Sequence, residues 1–275
     1  MDLKELGRTG VRLPAIGIGT WEMGGGLSRD TSADNEAIQA LRRAIELGMS
    51  LIDTAEMYGA GHAEELVGEA IKAFPREQVF IVSKVLPENL HYRDLIKAVD
   101  NSLRRLQTDW IDLYLIHSPN PRIPLRETMD AMEELVERRL VRFIGVSNFD
   151  LTEMEEARSC LSRHSIVTNQ VDYSLLVRTI ERDVLSYCQK QRIILMAYRP
   201  LAGGKLSRNR LLEEIGEKYN KTAAQVALNW LIAKEQVIAI PKAARIEHVE
   251  ENAGAMGWRL SQDDIELASS CFGGR

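Results

Sequence analysis

Residues 51–58 read Leu-Ile-Asp-Thr-Ala-Glu-Met-Tyr, and the rest of the chain can be organised around this stretch. Its first two residues close an apolar run that begins after Gly48, as expected of a short buried strand. Asp53 stands where that strand opens into a loop, and Tyr58 follows five residues later. A carboxylate and a phenol placed in this way can converge on one cavity.

Lys84 and His117 stand at the ends of two later apolar strands. An unperturbed phenol titrates near pH ~10, so Tyr58 needs a neighbouring cation to give up its proton readily. Taken singly, each residue is equally well explained as an ordinary turn, loop or core residue. Together they indicate an active site, because such sites collect ionisable groups that tune one another.

The composition is that of an ordinary globular protein and excludes several classes of function. The 275 residues suit two small domains or one large α/β domain. A net charge of −5 gives no sign of a nucleic-acid or anionic-membrane partner. The N-terminus lacks the apolar core of a secretory signal, and no uncharged apolar run approaches the roughly 20 residues that span a bilayer. We therefore expect a cytoplasmic protein.

The cysteines and histidines predict neither disulfides nor a metal site. Cys160, Cys188 and Cys271 are odd in number and far apart, which is typical of reduced thiols. The five histidines form no His-x-x-x-His pair, and the chain has no Cys-x-x-Cys motif.

Strands and helices alternate along the chain. Residues 3–6 and 11–13, on either side of a Gly-Arg-Thr-Gly turn, predict a β-hairpin. The predicted strands then cover residues 15–20, a segment ending at Asp53, and residues 79–85, 111–117, 140–146, 166–171, 193–198 and 237–240. A helical spacing of apolar residues follows each strand, including predicted helices over residues 180–191, 207–219 and 222–233.

Two short patterns predict helix starts, and one glycine pattern is rejected as a nucleotide site. Asp150 with Glu153 resembles a capping box, and Ser261 with Asp264 caps a short terminal segment. Residues 17–19 read Gly-Ile-Gly, but Glu22 occupies the third glycine position of a dinucleotide fingerprint.

Eight β/α units in one uninterrupted run predict a (β/α)8 TIM barrel that forms a single domain over residues 1–275. The near-continuous apolar strands fit a parallel sheet that is covered on both faces. A doubly wound open sheet is the alternative, but eight successive units favour closure. In a barrel the C-terminal ends of the strands share one face, which would bring Asp53, Lys84 and His117 together with Tyr58.

With these four residues in place, the chain resembles the aldo-keto reductases, from the N-terminal hairpin to Asn252. The order and spacing of the matching stretches are specific. They are Gly-Ile-Gly-Thr-Trp at residues 17–21, Asp-Thr-Ala-Glu-Met-Tyr-Gly at 53–59, Glu-Glu-Leu-Val-Gly at 64–68, Ile-Gly-Val-Ser-Asn-Phe at 144–149, Asn-Gln at 169–170 and Ile-Pro-Lys at 240–242.

The resemblance implies reduction of an aldehyde or ketone by a nicotinamide cofactor. Tyr58 would donate a proton to the carbonyl oxygen as hydride from nicotinamide C4 reaches the carbon. Lys84 would lower the pKa of the phenol, and Asp53 would hold Lys84 charged and oriented. His117 would position the carbonyl oxygen and share in stabilising its developing charge.

The resemblance also assigns a set of cofactor residues, with Ser147, Asn148 and Gln170 on the nicotinamide amide and Tyr198 stacked on its ring. The whole set is Gly19, Thr20, Trp21, Asp53, Ser147, Asn148, Gln170, Tyr198, Arg199, Pro200, Leu201, Ala202, Gly203, Ile240, Lys242, Ala243, Arg245, His248, Glu251 and Asn252. Arg199 replaces the serine common in the family, and it either approaches the cofactor phosphates or faces solvent.

The adenosine end departs from the pattern Ile-Pro-Lys-Ser with an arginine six residues after the lysine. Lys242 is kept, Ala243 replaces the serine, and His248 occupies the arginine position. Arg245, three residues after Lys242, could reach a 2′-phosphate, and arginine suits bidentate contact with phosphate. We therefore expect NADPH/NADP+ as the cofactor, with NADH also usable, and contacts from Glu251 and Asn252 to adenine.

On the substrate side the resemblance implies a small-molecule aldehyde or ketone. The pocket positions are Trp21, Met57, Tyr58, Leu86, His117 and Ser118. Leu86 and Ser118 stand where many relatives carry tryptophan, which predicts an open pocket. The chain reaches Arg275 soon after its last helix, so we expect the long C-terminal loop of other members to be short or missing. The family resemblance implies a monomer.

Two other functions remain open from the residues alone. One is a regulatory or scaffold subunit that binds NADPH but turns over little. The other is a barrel lyase or aldolase with Lys84 as a Schiff-base nucleophile, which needs a neutral lysine. Asp53 beside Lys84 opposes that state.

Overall fold

The computed structural model describes residues 2–272. The chain begins with an antiparallel hairpin in which β1 (Leu3–Glu5) pairs with β2 (Arg12–Pro14). Apolar residues of this hairpin, Leu6 and Leu13, pack into the cluster that fills the barrel interior. The predicted hairpin is confirmed.

Eight parallel strands pair with one another in chain order. They are β3 (Ile18–Gly19), β4 (Leu51–Asp53), β5 (Phe80–Val85), β6 (Ile111–Ile116), β7 (Val141–Ser147), β8 (Ile166–Asp172), β9 (Ile194–Tyr198) and β10 (Val237–Ala239). The ring closes between its first and last members. The amide of Gly17 donates to Ala239 O at 2.9 Å, and the amide of Ala239 donates to Ala15 O at 3.0 Å. This closure confirms the (β/α)8 barrel over the open sheet.

Helices follow the barrel strands, with the last two after β10. They are α1 (Asp34–Glu46), α2 (His62–Ile71), α3 (Tyr92–Leu106), α4 (Leu125–Glu137), α5 (Leu151–Cys160), α6 (Val184–Gln191), α7 (Arg210–Glu217), α8 (Ala223–Ile232), α9 (Ile246–Ala253) and α10 (Gln262–Phe272). The Asp150 capping box is present, because its carboxylate accepts from Glu153 N at 2.8 Å and the Glu153 carboxylate accepts from Asp150 N at 2.9 Å.

Two predicted helices are broken where a polar side chain caps a later start. The segment 180–191 contains a 3-10 turn over Thr179–Arg182, and α6 begins only after Asp183, whose carboxylate accepts from Val184 N at 2.6 Å. The segment 207–219 is likewise divided, since Asn209 accepts from the backbone of α7 at 3.2 Å. Short polar side chains compete for backbone N–H groups and so favour helix starts over helix interiors.

Close strand packing explains the glycine at residue 17. A Cβ on Gly17 would lie 2.5 Å from Leu51 Cδ2 and 2.7 Å from Leu51 O, so a larger residue would push β3 away from β4. This supports reading the Gly-Ile-Gly segment as a packing feature of the barrel.

Within the described residues no helix is both long and apolar enough to span a membrane. Residue 1 and residues 273–275 lie outside the described part of the chain. The prediction of a short C-terminal loop depends on those last residues.

Candidate active site

The four predicted catalytic side chains meet at the C-terminal ends of β4, β5 and β6. Asp53 ends β4, Lys84 lies one residue before the end of β5, and His117 directly follows β6. Lys84 Nζ lies 2.8 Å from Asp53 Oδ1 and 3.1 Å from Tyr58 OH. The ring centroids of Tyr58 and His117 are 5.8 Å apart, edge to face.

A strained turn delivers Tyr58 to this cluster. Gly59, Ala60 and Gly61 all have left-handed φ values, of 57°, 54° and 92°. A Cβ on Gly59 would lie 2.3 Å from Gly24 O, so glycine is required there by both conformation and space. Ala60 keeps a conformation that costs an L-residue about 1 kcal/mol, and the surrounding structure must compensate for it.

Lys84 is held as a cation in a fully buried position. Burial by itself lowers the pKa of an ammonium group, but the Asp53 carboxylate and the Tyr58 phenol outweigh it, so the pKa of Lys84 lies above its ordinary value. Lys84 Nζ also donates to the backbone O of Thr54 at 2.9 Å. With three acceptors around it, the ammonium group has a fixed position and direction.

The phenol of Tyr58 differs from the sequence-based expectation. Burial raises the pKa of Tyr58 and outweighs Lys84, which lowers it, while Asp53 raises it further. The expected net lowering by Lys84 is therefore not found, because the phenolate form would lose more by leaving water than it would gain from the cation. Tyr58 remains a neutral phenol. An ammonium group can only donate, so the phenol's own proton is directed away from Lys84.

His117 is neutral in the folded protein. Burial, together with repulsion from Lys84, lowers the pKa of its imidazole from 6.5 to about 3. Its Nδ1 is buried and has no hydrogen-bond partner within residues 2–272. A neutral imidazole carries one N–H donor and one acceptor, which suits it to bind and orient a carbonyl oxygen.

The shifted His117 pKa makes stability depend on pH. An unfolded chain takes up this proton below about pH 6.5, whereas the folded protein resists protonation down to about pH 3. The stability that depends on neutral His117 is therefore complete above pH 6.5 and declines as the pH falls toward 3. We expect His117→Gln to lack this contribution, so that its Tm falls less steeply than that of the wild type between those limits. His91→Gln, at an exposed site, should track the wild type. Parallel curves for His117→Gln and wild type would contradict the prediction.

The predicted nicotinamide residues lie on the same rim and are bonded to the catalytic cluster. Gln170 Nε2 donates to Asp53 Oδ1 at 2.7 Å, and Ser147 Oγ donates to Gln170 O at 2.9 Å. Tyr198 OH donates to Asn148 Oδ1 at 2.9 Å. Asn148 has a left-handed φ of 61°, and its Nδ2 donates to the backbone O of His117 at 2.9 Å. The ends of β4, β6, β7, β8 and β9 are thus linked at one face.

The predicted adenosine-end residues form a second, exposed group. Lys242 pairs in parallel with Gly19 where the barrel closes, and its Nζ lies 3.6 Å from Glu22 Oε2. Arg245 contacts His248. His248 Nδ1 lies 3.6 Å from Glu251 Oε2.

Two buried polar atoms among the predicted cofactor residues have no hydrogen-bond partner within residues 2–272. They are Nδ2 of Asn252 and Oγ1 of Thr20. A buried polar group without a partner costs roughly 1–3 kcal/mol, so both atoms suit a ligand that supplies hydrogen bonds. The donor set therefore fits a nucleotide.

The remaining predicted cofactor residues belong to the same segments. Pro200, Ile240 and Ala243 are buried, Leu201 and Ala202 pack against the core, and Gly203 is exposed. Arg199 is 65% exposed, and its Nη1 lies 3.5 Å from Asp172 Oδ2. The sequence offered no sign of this ion pair.

The predicted substrate-pocket residues other than Tyr58 keep part of their surface exposed. The Trp21 ring packs edge-on against Tyr58 with centroids 5.0 Å apart, yet 38% of Trp21 is exposed. Met57 packs beside Tyr58. Leu86 and Ser118 are half-buried. The less enclosed, less aromatic pocket stays a prediction.

Glu56 is a neighbour of the site that sequence reasoning missed. Its Oε1 accepts from Leu86 N at 2.7 Å and from Asn89 Nδ2 at 3.0 Å. It therefore joins the loop that carries Tyr58 to the loop after β5. A single glutamate in a loop gives no sequence signal of such a contact, because a glutamate that faces solvent would look the same in the sequence. Within residues 2–272 no group of three or more His, Cys, Asp or Glu side chains could hold a metal ion.

Comparison with known proteins gives a consistent set of relatives. The model of the Aldo/keto reductase family matches residues 15–272. Methylglyoxal reductase YeaE from Escherichia coli (strain K12) is 45% identical over 267 residues, which cover 95% of this chain and 92% of that protein.

Solved structures agree with the sequence relatives. The thermostable aldo-keto reductase Tm1743, in complex with the inhibitor epalrestat, matches with a TM-score of 0.94 and 51% identity over 98% of this chain and 99% of that one. An aldo/keto reductase from Klebsiella pneumoniae, in complex with NADP and acetate, matches with a TM-score of 0.90 and 40% identity over 99% and 96% of the two chains.

Proposed function

This chain belongs to the aldo/keto reductase family, and from that premise we propose that it reduces small aldehydes with NADPH, using Tyr58 as the proton donor. Membership makes the chain an oxidoreductase that acts on carbonyl groups with a nicotinamide cofactor. The similarity to a methylglyoxal reductase makes methylglyoxal the first substrate to test.

The observation that carries this proposal is the 3.1 Å contact between Lys84 Nζ and Tyr58 OH, with Asp53 behind the ammonium group. The bound cofactor supplies the hydride. Tyr58 holds a proton that is directed away from Lys84 and is available to a carbonyl oxygen in the pocket. As that proton leaves, the phenolate remains beside a fixed cation, which stabilises the developing charge without rearrangement. Neutral His117 orients the carbonyl oxygen from the other side.

The chain's own residues also support the cofactor assignment. Ser147, Asn148, Gln170 and Tyr198 would hold and cover the nicotinamide, and Lys242 with Arg245 would bind the 2′-phosphate. The Asn252 amide, which lacks a partner within residues 2–272, would meet adenine.

The competing functions are less well supported. A Schiff-base nucleophile must be a neutral amine, but Asp53 and Tyr58 raise the pKa of Lys84. A sensor that binds NADPH without turnover would not need a complete proton-donating group. Binding without turnover on any aldehyde would nevertheless favour the sensor.

The proposal is tested by fluorescence titration with NADPH and NADH, followed by turnover on a panel of small aldehydes that includes methylglyoxal. We expect Lys242→Ala and Arg245→Ala each to weaken NADPH binding by about tenfold, because each removes a charge-assisted contact worth about 1.5 kcal/mol. Binding of NADH, which lacks the 2′-phosphate, should change little.

Lys190→Ala is a matched control that removes the same charge from the exposed surface of α6. It should leave both affinities unchanged. Equal weakening of NADPH and NADH by the Lys242 and Arg245 variants would contradict the phosphate assignment. Failure to bind either nucleotide would contradict the proposed function itself.

A further inference from the structure

The segment that carries Tyr58 is fastened to the loop formed by residues 20–33, between β3 and α1. The amide of Gly59 donates to Gly26 O at 2.7 Å. At the start of this loop, Trp21 packs edge-on against Tyr58. The loop contains three successive glycines and no helix or regular strand, so its position depends on contacts of this kind.

His62 makes the most enclosed of these contacts. It is the first residue of α2, four residues after Tyr58, and it is 3% exposed. Its Nε2 lies 2.9 Å from Asp34 Oδ1, and its Nδ1 lies 2.8 Å from Glu65 Oε2. Asp34 is the first residue of α1. One ring therefore joins the starts of two helices immediately behind the Tyr58 turn.

Charged neighbours extend this contact. Arg29 of the same loop lies 2.7 Å from Glu65 Oε2, so Glu65 receives both the imidazole and a guanidinium group. The His62 ring also lies close to the glycine loop, because a Cβ on Gly24 would lie 2.8 Å from His62 Cδ2. We define His62, Asp34, Glu65 and Arg29 as the histidine clamp.

The Tyr58 turn needs such support. Three successive left-handed residues separate Tyr58 from α2, and strained backbone persists only where its surroundings over-determine it. The N-cap of α2, Gly61, has no side chain to bond the first turn. The hydroxyl of Tyr58 must nevertheless stay within hydrogen-bond reach of Lys84, since a misplacement of about 1 Å can cost on the order of 10²-fold in rate.

We propose that His62 is a positioning residue for Tyr58, which it holds against Lys84 through the bonds to Asp34 and Glu65. This inference rests on the proposed role of Tyr58 as proton donor. According to this proposal, the buried His62 affects the proton-transfer step although it lies outside the pocket. This effect is separate from the contribution of His62 to stability.

The test measures the chemical step and cofactor binding side by side. Protein loaded with NADPH is mixed with methylglyoxal in single turnover, NADPH affinity is measured by fluorescence, and Tm is recorded for each variant. We expect His62→Ala to slow the chemical step by about ten- to hundredfold while NADPH affinity stays within about twofold of wild type. His62→Gln keeps an amide donor for one of the two carboxylates. Its rate for the chemical step should therefore lie between those of His62→Ala and the wild type.

Two further variants complete the design. Asp34→Asn keeps the shape of the clamp, removes one charge and should also slow the chemical step, which tests the proposal if His62→Ala does not fold. His164→Ala is the matched control, because His164 Nε2 makes a comparable contact of 2.9 Å with Glu137 on the surface. The control should leave the rate of the chemical step unchanged.

A purely structural histidine would lower Tm in His62→Ala and His62→Gln without changing the rate below the transition. That result would overturn the proposal, as would an equal loss of NADPH affinity and rate. Failure of the underlying function is distinguishable. If Tyr58→Phe keeps its turnover, the proton-donor role of Tyr58 is contradicted. If Tyr58→Phe is inactive but the His62 variants are fully active, only the positioning role of His62 is contradicted.

Discussion

Replacing Tyr58 by phenylalanine will lower aldehyde turnover by about 10²- to 10⁴-fold, the range that a positioned general acid contributes, with NADPH affinity within about twofold of wild type. The substitution removes one hydroxyl and keeps the ring that packs edge-on against Trp21 and His117. The loss should therefore appear in kcat. Single-turnover rates with methylglyoxal and fluorescence titration with NADPH measure the two quantities separately.

Tyr92→Phe provides the control, because Tyr92 is 38% exposed at the start of α3. It should retain wild-type turnover. Near-wild-type turnover in Tyr58→Phe would show that another group protonates the carbonyl oxygen. Loss of NADPH binding in that variant would instead assign Tyr58 a role in holding the cofactor.

Replacing Lys84 by methionine should abolish most turnover and destabilise the protein by about 3–5 kcal/mol, the usual cost of leaving one member of a buried ion pair without its partner. Asp53 is 3% exposed, and within residues 2–272 its carboxylate would keep only the bond from Gln170 Nε2 at 2.7 Å. Tyr58 would lose the cation that stabilises its phenolate. Denaturant unfolding measures the first effect, and single-turnover kinetics with methylglyoxal measure the second.

The double variant Asp53→Asn with Lys84→Met separates the two effects. Replacing both charges removes the uncompensated carboxylate, so much of the lost stability should return. Turnover should stay low, because the cation beside Tyr58 is still absent. Recovery of turnover together with stability would mean that Lys84 acts only through the fold. Unchanged stability in Lys84→Met would show that other groups stabilise the buried Asp53 carboxylate once Lys84 is absent.

The fold and the catalytic cluster could both be predicted from local patterns. Alternating apolar strands and amphipathic helices predicted the barrel and its N-terminal hairpin, and both are present. The predictions of helices over residues 180–191 and 207–219 placed the helix starts too early. There, Asp183 and Asn209 bond the backbone locally, and such competition is not visible in apolar spacing.

The pKa of Tyr58 shows where sequence reasoning stops. The neighbours of the phenol were identified correctly, yet its net shift has the opposite sign, because burial outweighs Lys84. Burial is a property of everything packed around a group. The same holds for the Arg199–Asp172 ion pair and for the contacts of Glu56, since any exposed charge could find many partners.

By itself, the sequence determined the barrel and the meeting of Asp53, Tyr58, Lys84 and His117. It could do so because parallel strands in a closed barrel all end at one face, so a residue's place at a strand end fixes its place in space. Only the tertiary structure decided the balance of burial and charge at Tyr58 and the enclosure of His62 between Asp34 and Glu65. Both depend on contacts between different segments, such as Tyr58 with Lys84 and His62 with Asp34, and packing sets the distances between those segments.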